Sequence, residues 1–141
     1  MAADPPKRGR VFLVDDHDVV RTMLDMYIRR TQDLSICGMA ASGEEALELA
    51  TAETCDVALL DVAMPGMSGI ELAHRLRERR PGLKCLMLSG HAEQVYVKGA
   101  LEAGALGYVM KGDPDAILSA IRYVLRGEVY LSNEVQRYWR A

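Results

Sequence analysis

The sequence predicts an α/β fold, a doubly wound parallel sheet of five strands with helices on both faces. A short apolar run, a loop and a helical stretch follow one another five times between residues 10 and 126. The apolar runs are continuous rather than alternating, which is typical of strands buried on both faces. The helical stretches carry apolar residues three and four positions apart, which indicates one buried face. Strict alternation of these units favours right-handed crossovers between parallel strands.

Five apolar runs are the predicted strands. They cover residues 10–14, 34–40, 57–60, 85–88 and 107–110. The second run is weaker than the others. The first and third runs stop at acidic residues, the fourth stops at Ser89 and the fifth stops at Lys111.

Capping residues predict where the helices begin. Ser42 or Gly43 is a candidate N-cap of the second helix, and Ser68 is a candidate N-cap of the third. The pair Asp113-Pro114 predicts the start of the fifth helix, with an acid at the cap and proline at the first helical position. Asp18 is expected to cap the first helix rather than to bind metal.

The composition is that of an ordinary globular domain and excludes several classes of protein. Half of the 141 residues are hydrophobic and 26% are charged, which argues against wholesale disorder. The net charge of −3 argues against a general nucleic-acid coat. No apolar run approaches the length of a membrane span, and the N-terminal residues lack the apolar core of a signal sequence. Cys37, Cys55 and Cys85 are scattered, and we expect them to be reduced thiols of a cytoplasmic protein.

The strand ends carry the residues that suggest chemistry. In open parallel sheets the functional crevice lies beyond the carboxyl ends of the strands. The topology would bring Asp15, Asp16 and Asp61 together there, and like charges in one pocket resist ionisation. A magnesium ion would resolve this conflict, since it takes oxygen ligands and needs few carboxylates. The alternative is that each acid caps a helix or is solvated in a loop.

Ser89 and Lys111 add complementary groups at the same edge. A lysine ammonium pairs with a carboxylate or a phosphate, and a serine hydroxyl can donate to a phosphoryl oxygen. Together with acids and a metal they suit phosphoryl transfer, which depends on positioning and charge neutralisation. Asp61 is the candidate nucleophile, because it ends the most hydrophobic central strand and precedes a Gly/Pro-rich loop.

These strand-end residues, the loop at 64–69 and the run at 107–111 resemble the receiver (CheY-like) domain of two-component response regulators. The resemblance covers residues 10–126 in the right order and spacing. The run at 14–21, the long final helix and the tail at 127–132 further resemble the NarL/FixJ-type subfamily. The resemblance implies a flavodoxin/CheY-like sheet with the strand order 2-1-3-4-5.

The same resemblance implies a metal site and a phosphoacceptor. Asp61 would accept a phosphoryl group from a phosphohistidine on a sensor histidine kinase. Asp16 and Asp61 would bind Mg²⁺ through their side chains, with Asp15 assisting through water. The backbone carbonyl of Ala63 would be a further ligand.

The resemblance also assigns a response to phosphorylation. Ser89 would hydrogen-bond the phosphoryl group, Lys111 would form an ion pair with it, and Tyr108 would be the switch aromatic. Ala63 stands where the family often has a polar side chain, so we expect Ala63 and His91 to tune autodephosphorylation. Gly112 follows Lys111 where most receivers have proline after a cis bond, and the sequence leaves the isomer of this bond open.

The organisation along the chain is predicted from the same residues. We expect a flexible leader at 1–9, the receiver domain at 10–126, and a linker or C-terminal tail at 127–141. The tail is too short for a helix-turn-helix output domain, so we expect DNA binding only through a domain absent from this chain. Two alternatives stay open, an isolated receiver cut at its linker and a natural stand-alone receiver. We also expect homodimerisation on phosphorylation, no membrane association, and no enzymatic activity beyond the chain's own phosphorylation.

Two functions from other classes are weighed against this hypothesis. A Mg²⁺-dependent aspartyl phosphatase would often need a second acid two residues after its nucleophile, where Ala63 stands. A flavin-binding module would need a hydroxyl- and glycine-rich loop after the first strand, where four residues at 15–18 include three acids.

Overall fold

The computed structural model describes residues 9–49, 54–90 and 94–139, which form alternating strands and helices. The elements are β1 (Gly9–Val14), α1 (Asp18–Arg29), β2 (Leu34–Ala40), α2 (Gly43–Leu49), β3 (Val57–Asp61), α3 (Gly69–Arg79), β4 (Lys84–Ser89), α4 (Gln94–Glu102), β5 (Gly107–Met110), α5 (Pro114–Leu125), β6 (Tyr130–Leu131) and α6 (Asn133–Trp139). None of the helices in these ranges is long and apolar enough to cross a membrane.

The sheet is parallel throughout and has the order β2-β1-β3-β4-β5-β6. The expected order 2-1-3-4-5 is therefore confirmed, with one further strand added beside β5. The register aligns the ends of neighbouring strands, because Val14 pairs with Leu60 and Asp61 pairs with Leu88. This alignment places the side chains at the carboxyl ends of β1, β3 and β4 at one edge of the sheet.

Alternate residues of the central strands face two different helical layers. Phe12 and Leu60 pack with the helix α3 residue Leu72 in one buried cluster. Val11 and Leu59 belong to a second cluster, which contains residues of α1 and α5. Helices α1 and α5 therefore cover one face, and α2, α3, α4 and α6 contribute to the other. Burial of the strands on both faces explains why their sequences are continuous apolar runs.

The helix starts follow the predicted capping chemistry at three positions. The hydroxyl oxygens of Ser42 and Ser68 accept the backbone N–H groups of the residues three positions later, at distances of 3.1 Å. The Asp113 carboxylate caps α5 in the same way, with Pro114 as the first helical residue.

The prediction that Asp18 caps the first helix is wrong. His17 is the N-cap residue of α1 and makes no side-chain cap, whereas the exposed Asp18 carboxylate pairs with Arg21 one turn along.

The tail forms structure on the open edge of the sheet. The N–H of Tyr130 donates to the Leu106 carbonyl, and the N–H of Ser132 donates to the Tyr108 carbonyl. Helix α6 then packs against α4, with Val135 fully buried. The five-stranded prediction omitted β6 because two residues are too short to give a strand pattern. An apolar tail that covers an edge strand also removes unpaired backbone groups from solvent.

The expectation that all cysteines are reduced is wrong for two of them. Cys37 and Cys55 are joined by a disulfide with a Cα–Cα distance of 6.0 Å, and Cys85 is free and buried. The two residues are 18 positions apart in sequence, so no close-pair spacing signals the bond.

The described residues have trans peptide bonds throughout, including the bond between Lys111 and Gly112.

Candidate functional site

The carboxyl ends of β1, β3, β4 and β5 converge on one polar site. Backbone hydrogen bonds continue past the strand ends and hold these loops in place. The N–H of Asp15 donates to the Ala40 carbonyl, and the N–H of Lys111 donates to the Ser89 carbonyl at 2.9 Å. The N–H of Val62, directly after Asp61, donates to Leu88. The side chains of the site therefore lie on short segments that backbone hydrogen bonds to the sheet hold in place.

Three carboxylates meet at this edge, as the strand ends predicted. Asp15 is fully buried and Asp61 is 2% exposed, whereas the Asp16 side chain reaches the surface. One ligand atom from each of Asp15, Asp16, His17 and Asp61 lies within 4.8 Å of the other three. The topology thus concentrates negative charge in a pocket that is shielded from solvent.

Lys111 is the cation inside this cluster. Its Nζ atom lies 3.0 Å from Oδ2 of Asp15 and 3.1 Å from Oδ2 of Asp61. Burial alone would lower the pKa of the Lys111 ammonium, but the hydrogen bonds and charges of these two aspartates outweigh burial and raise it. Lys111 is therefore held in its charged form beside the two most buried acids.

His17, the residue directly before α1, also lies inside the cluster. Its Nδ1 atom is 2.9 Å from Oδ1 of Asp15, 3.2 Å from Oδ1 of Asp16 and 3.9 Å from Oδ2 of Asp61. The same nitrogen is 3.3 Å from Nζ of Lys111. The ring is 59% exposed, so it covers the pocket from the solvent side. Its position directly after the two aspartates was the sequence signal for this placement.

The Asp61 carboxyl is electrostatically strained in this setting. Burial, followed by the charge of Asp15, raises its pKa to about 6, and Lys111 only partly opposes the shift. The Oδ2 atoms of Asp15 and Asp61 and the Oδ1 atom of Asp16 are buried. The two Oδ2 atoms contact Nζ of Lys111, and Oδ1 of Asp16 contacts Nδ1 of His17. A hard cation fits such a cluster, because it would neutralise the carboxylate charge that Lys111 compensates only in part. The acidic cluster is therefore able to hold a metal ion.

The loop between β3 and α3, residues 62–68, borders the Asp61 carboxyl. The N–H of Ala63 donates to Oδ1 of Asp61 at 3.2 Å, and its methyl group is exposed. Gly69, the first residue of α3, follows this loop, and a Cβ there would lie 2.0 Å from the Asp61 carbonyl oxygen, so a larger residue would force the backbone to shift. Oε1 of Glu44 in α2 accepts the N–H of Met67 at 3.1 Å and so ties this loop to the neighbouring helix.

Ser89 and Tyr108 are both buried in the described structure. Ser89 is the last residue of β4 and is 1% exposed. Tyr108 in β5 is fully buried and belongs to the same cluster as the α4 residue Val97 and the α6 residue Val135. The tyrosine thus links the site edge of the sheet to the C-terminal helix. His91, the second residue that we expect to tune dephosphorylation, lies outside the described residues.

Known proteins share this sequence and architecture. A family model for the response regulator receiver domain matches residues 11–122. The chain is 34% identical over 126 residues to the response regulator UvrY of Escherichia coli, which covers 89% of this chain and 58% of that protein. It is 39% identical over 127 residues to the response regulator GacA of Pseudomonas viridiflava, with coverage of 89% and 59%.

A solved structure supports the same relationship. The crystal structure of a LuxR-family two-component response regulator from Aurantimonas matches with a TM-score of 0.87 and 31% identity, over 95% of this chain and 96% of that chain. The chain spans about three fifths of the length of the two curated relatives. The family match covers most of the chain and agrees with the strand order and with the acids at the strand ends. The chain therefore belongs to the response regulator receiver domain family.

Proposed function

We propose that Asp61 is a phosphoacceptor that receives a phosphoryl group from a phosphohistidine on a sensor histidine kinase. One observation carries this proposal. The Asp61 carboxylate is almost completely buried, Lys111 is 3.1 Å away, and two further acids stand at the same edge of the sheet. An acid alone would simply be solvated or protonated there, whereas this set suits the transfer of an anionic group.

We propose Mg²⁺ as the cation of the acidic cluster. Asp16 and Asp61 would hold it through side-chain oxygens, Ala63 through its backbone carbonyl, and Asp15 through water. When bound, Mg²⁺ would neutralise oxygens of the incoming phosphoryl group. The cluster of carboxylate oxygens at one edge of the sheet, whose charge Lys111 compensates only in part, supports this assignment.

The proposed transfer uses groups of this chain. A carboxylate oxygen of Asp61 attacks the phosphorus, the N–P bond to the donor histidine breaks, and the bond electrons leave with the imidazole. The product is an acyl phosphate on Asp61. Lys111 would form an ion pair with the new phosphoryl oxygens, and Ser89 would donate a hydrogen bond to one of them.

We propose that the signal then leaves the site through β4 and β5. Movement of Ser89 toward the phosphoryl group would alter the packing around Tyr108, which shares its buried cluster with α4 and α6. The output we propose is transcriptional, through a DNA-binding domain of the longer protein, with homodimerisation on phosphorylation and a cytoplasmic location. The chemistry of this chain would be limited to its own phosphorylation and autodephosphorylation.

Treatment with acetyl phosphate and Mg²⁺, followed by intact mass spectrometry, tests the proposal. We expect one phosphoryl adduct on the wild-type chain and none on Asp61→Asn. Asp18→Asn is the matched control, because Asp18 is an exposed acid of the same edge that pairs with Arg21 outside the cluster. A folded wild-type protein without an adduct, or an adduct retained by Asp61→Asn, would refute the assignment.

A further inference from the structure

The disulfide between Cys37 and Cys55 is a feature that the phosphoacceptor proposal does not use. Cys37 lies in the edge strand β2, at a shift in the pairing register with β1. Val11 pairs with Ile36 and Phe12 pairs with Gly38, so Cys37 is the extra residue. Cys55 lies just before β3 and is fully buried. Both residues pack in the cluster on the α2 and α3 side of the sheet.

The bond closes a loop that contains α2, and α2 contacts the acceptor loop. Glu44 in its first turn accepts the N–H of Met67 at 3.1 Å. The contact with the Met67 side chain is also close, since a Cβ on Gly43 would lie 2.8 Å from its Sδ atom. Gly43 and Glu44 therefore connect α2 to residues 62–68, which border Asp61.

The three cysteines differ in their ability to react. Cys85 is fully buried in β4, and burial raises its pKa to about 12, so it remains a protonated thiol. Cys37 is only partly buried, which leaves it accessible to a reagent from solvent. In a reducing compartment a disulfide is typically transient rather than a permanent crosslink.

We propose that Cys37 and Cys55 are a reversible thiol–disulfide pair whose oxidation restrains α2 and, through Glu44, the loop beside Asp61. The consequence for phosphorylation rests on the proposed phosphoacceptor function, and the restraint on the loop does not. Closing the crosslink removes conformational freedom from the segment that carries α2. We therefore expect the oxidised chain to exchange the Met67 amide proton and to accept phosphoryl groups more slowly.

A small-molecule disulfide is the oxidant in the proposed reaction. The Cys37 thiolate attacks one sulfur of the reagent, and one reagent thiolate leaves. The Cys55 thiolate then attacks Cys37 in the mixed disulfide and displaces the second reagent thiolate. Two electrons pass from the protein to the reagent, and the two protons end on the released thiols.

The first measurement is the thiol state of the intact chain, independent of phosphorylation. The protein is equilibrated with oxidised or reduced glutathione and alkylated under denaturing conditions. Its intact mass is then measured by mass spectrometry. We expect three alkylated cysteines after reduction and one after oxidation, because the chain has three cysteines and the disulfide consumes two. Cys85→Ser should still form the bond and Cys55→Ser should not. Three alkylated cysteines in folded, glutathione-oxidised wild type would refute the pair.

The second measurement is hydrogen exchange of the Met67 amide in the oxidised and reduced wild type. We expect exchange to be about fivefold slower after oxidation, because the crosslink would restrain α2, which carries the Glu44 carboxylate that accepts this N–H. Glu44→Ala should form the disulfide but lose this dependence on redox state. Glu48→Ala, an exposed acid of the same helix, should keep it. Equal exchange rates in oxidised and reduced wild type would refute the coupling.

The third measurement separates this proposal from the phosphoacceptor function. Reduced protein that fails to form an acetyl phosphate adduct refutes the phosphoacceptor assignment, while the thiol count and amide exchange still decide the redox pair. If reduced protein is phosphorylated, we expect the oxidised form to react several-fold more slowly. Equal rates in the two forms would overturn the regulatory part of the proposal.

Discussion

The Nζ atom of Lys111 lies 3.1 Å from Oδ2 of Asp61, across the gap between the ends of β5 and β3. The two residues are fifty positions apart in sequence, and β4 lies between their strands in the sheet. This contact compensates part of the charge of the buried Asp61 carboxylate. Under the proposed function the same ammonium is in position to pair with a phosphoryl group on Asp61.

Replacement of Lys111 by methionine should slow phosphorylation of Asp61. Methionine is unbranched and only one atom shorter than lysine, but it lacks the charge that would stabilise the transferred group. We expect the rate with acetyl phosphate at saturating Mg²⁺ to fall by about 10- to 100-fold. Lys84→Met is the matched control, because Lys84 lies at the opposite end of the strands. Equal rates for Lys111→Met and wild type would exclude the proposed ion pair.

Asp61→Asn should stabilise the metal-free protein at neutral pH. The folded-state pKa of Asp61 is raised from 3.8 to about 6, so the ionised form opposes folding. The penalty begins as pH rises above the unfolded-state pKa and is complete above the folded-state pKa. We therefore expect a gain of about 1–3 kcal/mol at pH 7.5 that becomes smaller toward pH 4.5.

Urea denaturation in the presence of a chelator measures this gain at the two pH values. Asp18→Asn provides the control for loss of an acid at the same edge of the sheet. A variant Asp61→Asn that is less stable than wild type at pH 7.5 would show that Lys111 already compensates the buried charge.

Mg²⁺ should stabilise the folded chain through Asp16. A ligand that binds only the folded state at ten times its dissociation constant adds about 1.4 kcal/mol. We expect Asp16→Asn to lose most of this increment, because the Asp16 side chain is the solvent-accessible acid of the cluster. Thermal unfolding with and without Mg²⁺ measures it. A full increment in Asp16→Asn would remove Asp16 from the metal site.

Val135→Ala should destabilise the whole domain. Val135 is fully buried and shares a cluster with Tyr108, so its truncation leaves a cavity beneath α6. We expect a loss of about 1–3 kcal/mol in the free energy of unfolding. The control is Val129→Ala, since Val129 is half-exposed in the same tail. Equal small effects of the two changes would mean that α6 is not part of the cooperative unit.

Ala63→Asn should speed the loss of phosphate from Asp61. The exposed Ala63 methyl cannot hydrogen-bond an attacking water, whereas an amide in its place can orient one. We expect a several-fold faster release of phosphate after removal of the phosphodonor, and a changed rate in His91→Ala. If neither variant changes the rate of release, these side chains do not tune autodephosphorylation.

Local sequence signals were sufficient to predict the helices and strands that are buried or capped. Continuous apolar runs identified the first five strands because both faces of each strand need burial. Ser42, Ser68 and Asp113 identified helix starts because capping depends on residues within one turn. The prediction for Asp18 failed because α1 begins at this residue and its carboxylate pairs with Arg21 one turn along.

The sequence by itself determined the alternation of strands and helices and the identity of the acids, hydroxyl and ammonium at the strand ends. These properties depend on residue type and on spacing along the chain. Only the tertiary structure decided that His17 lies among three carboxylates, that Cys37 meets Cys55, and that the tail completes the sheet beside β5. The physical reason is that these contacts join distant segments, or depend on burial, and neither distance nor burial is encoded in local spacing.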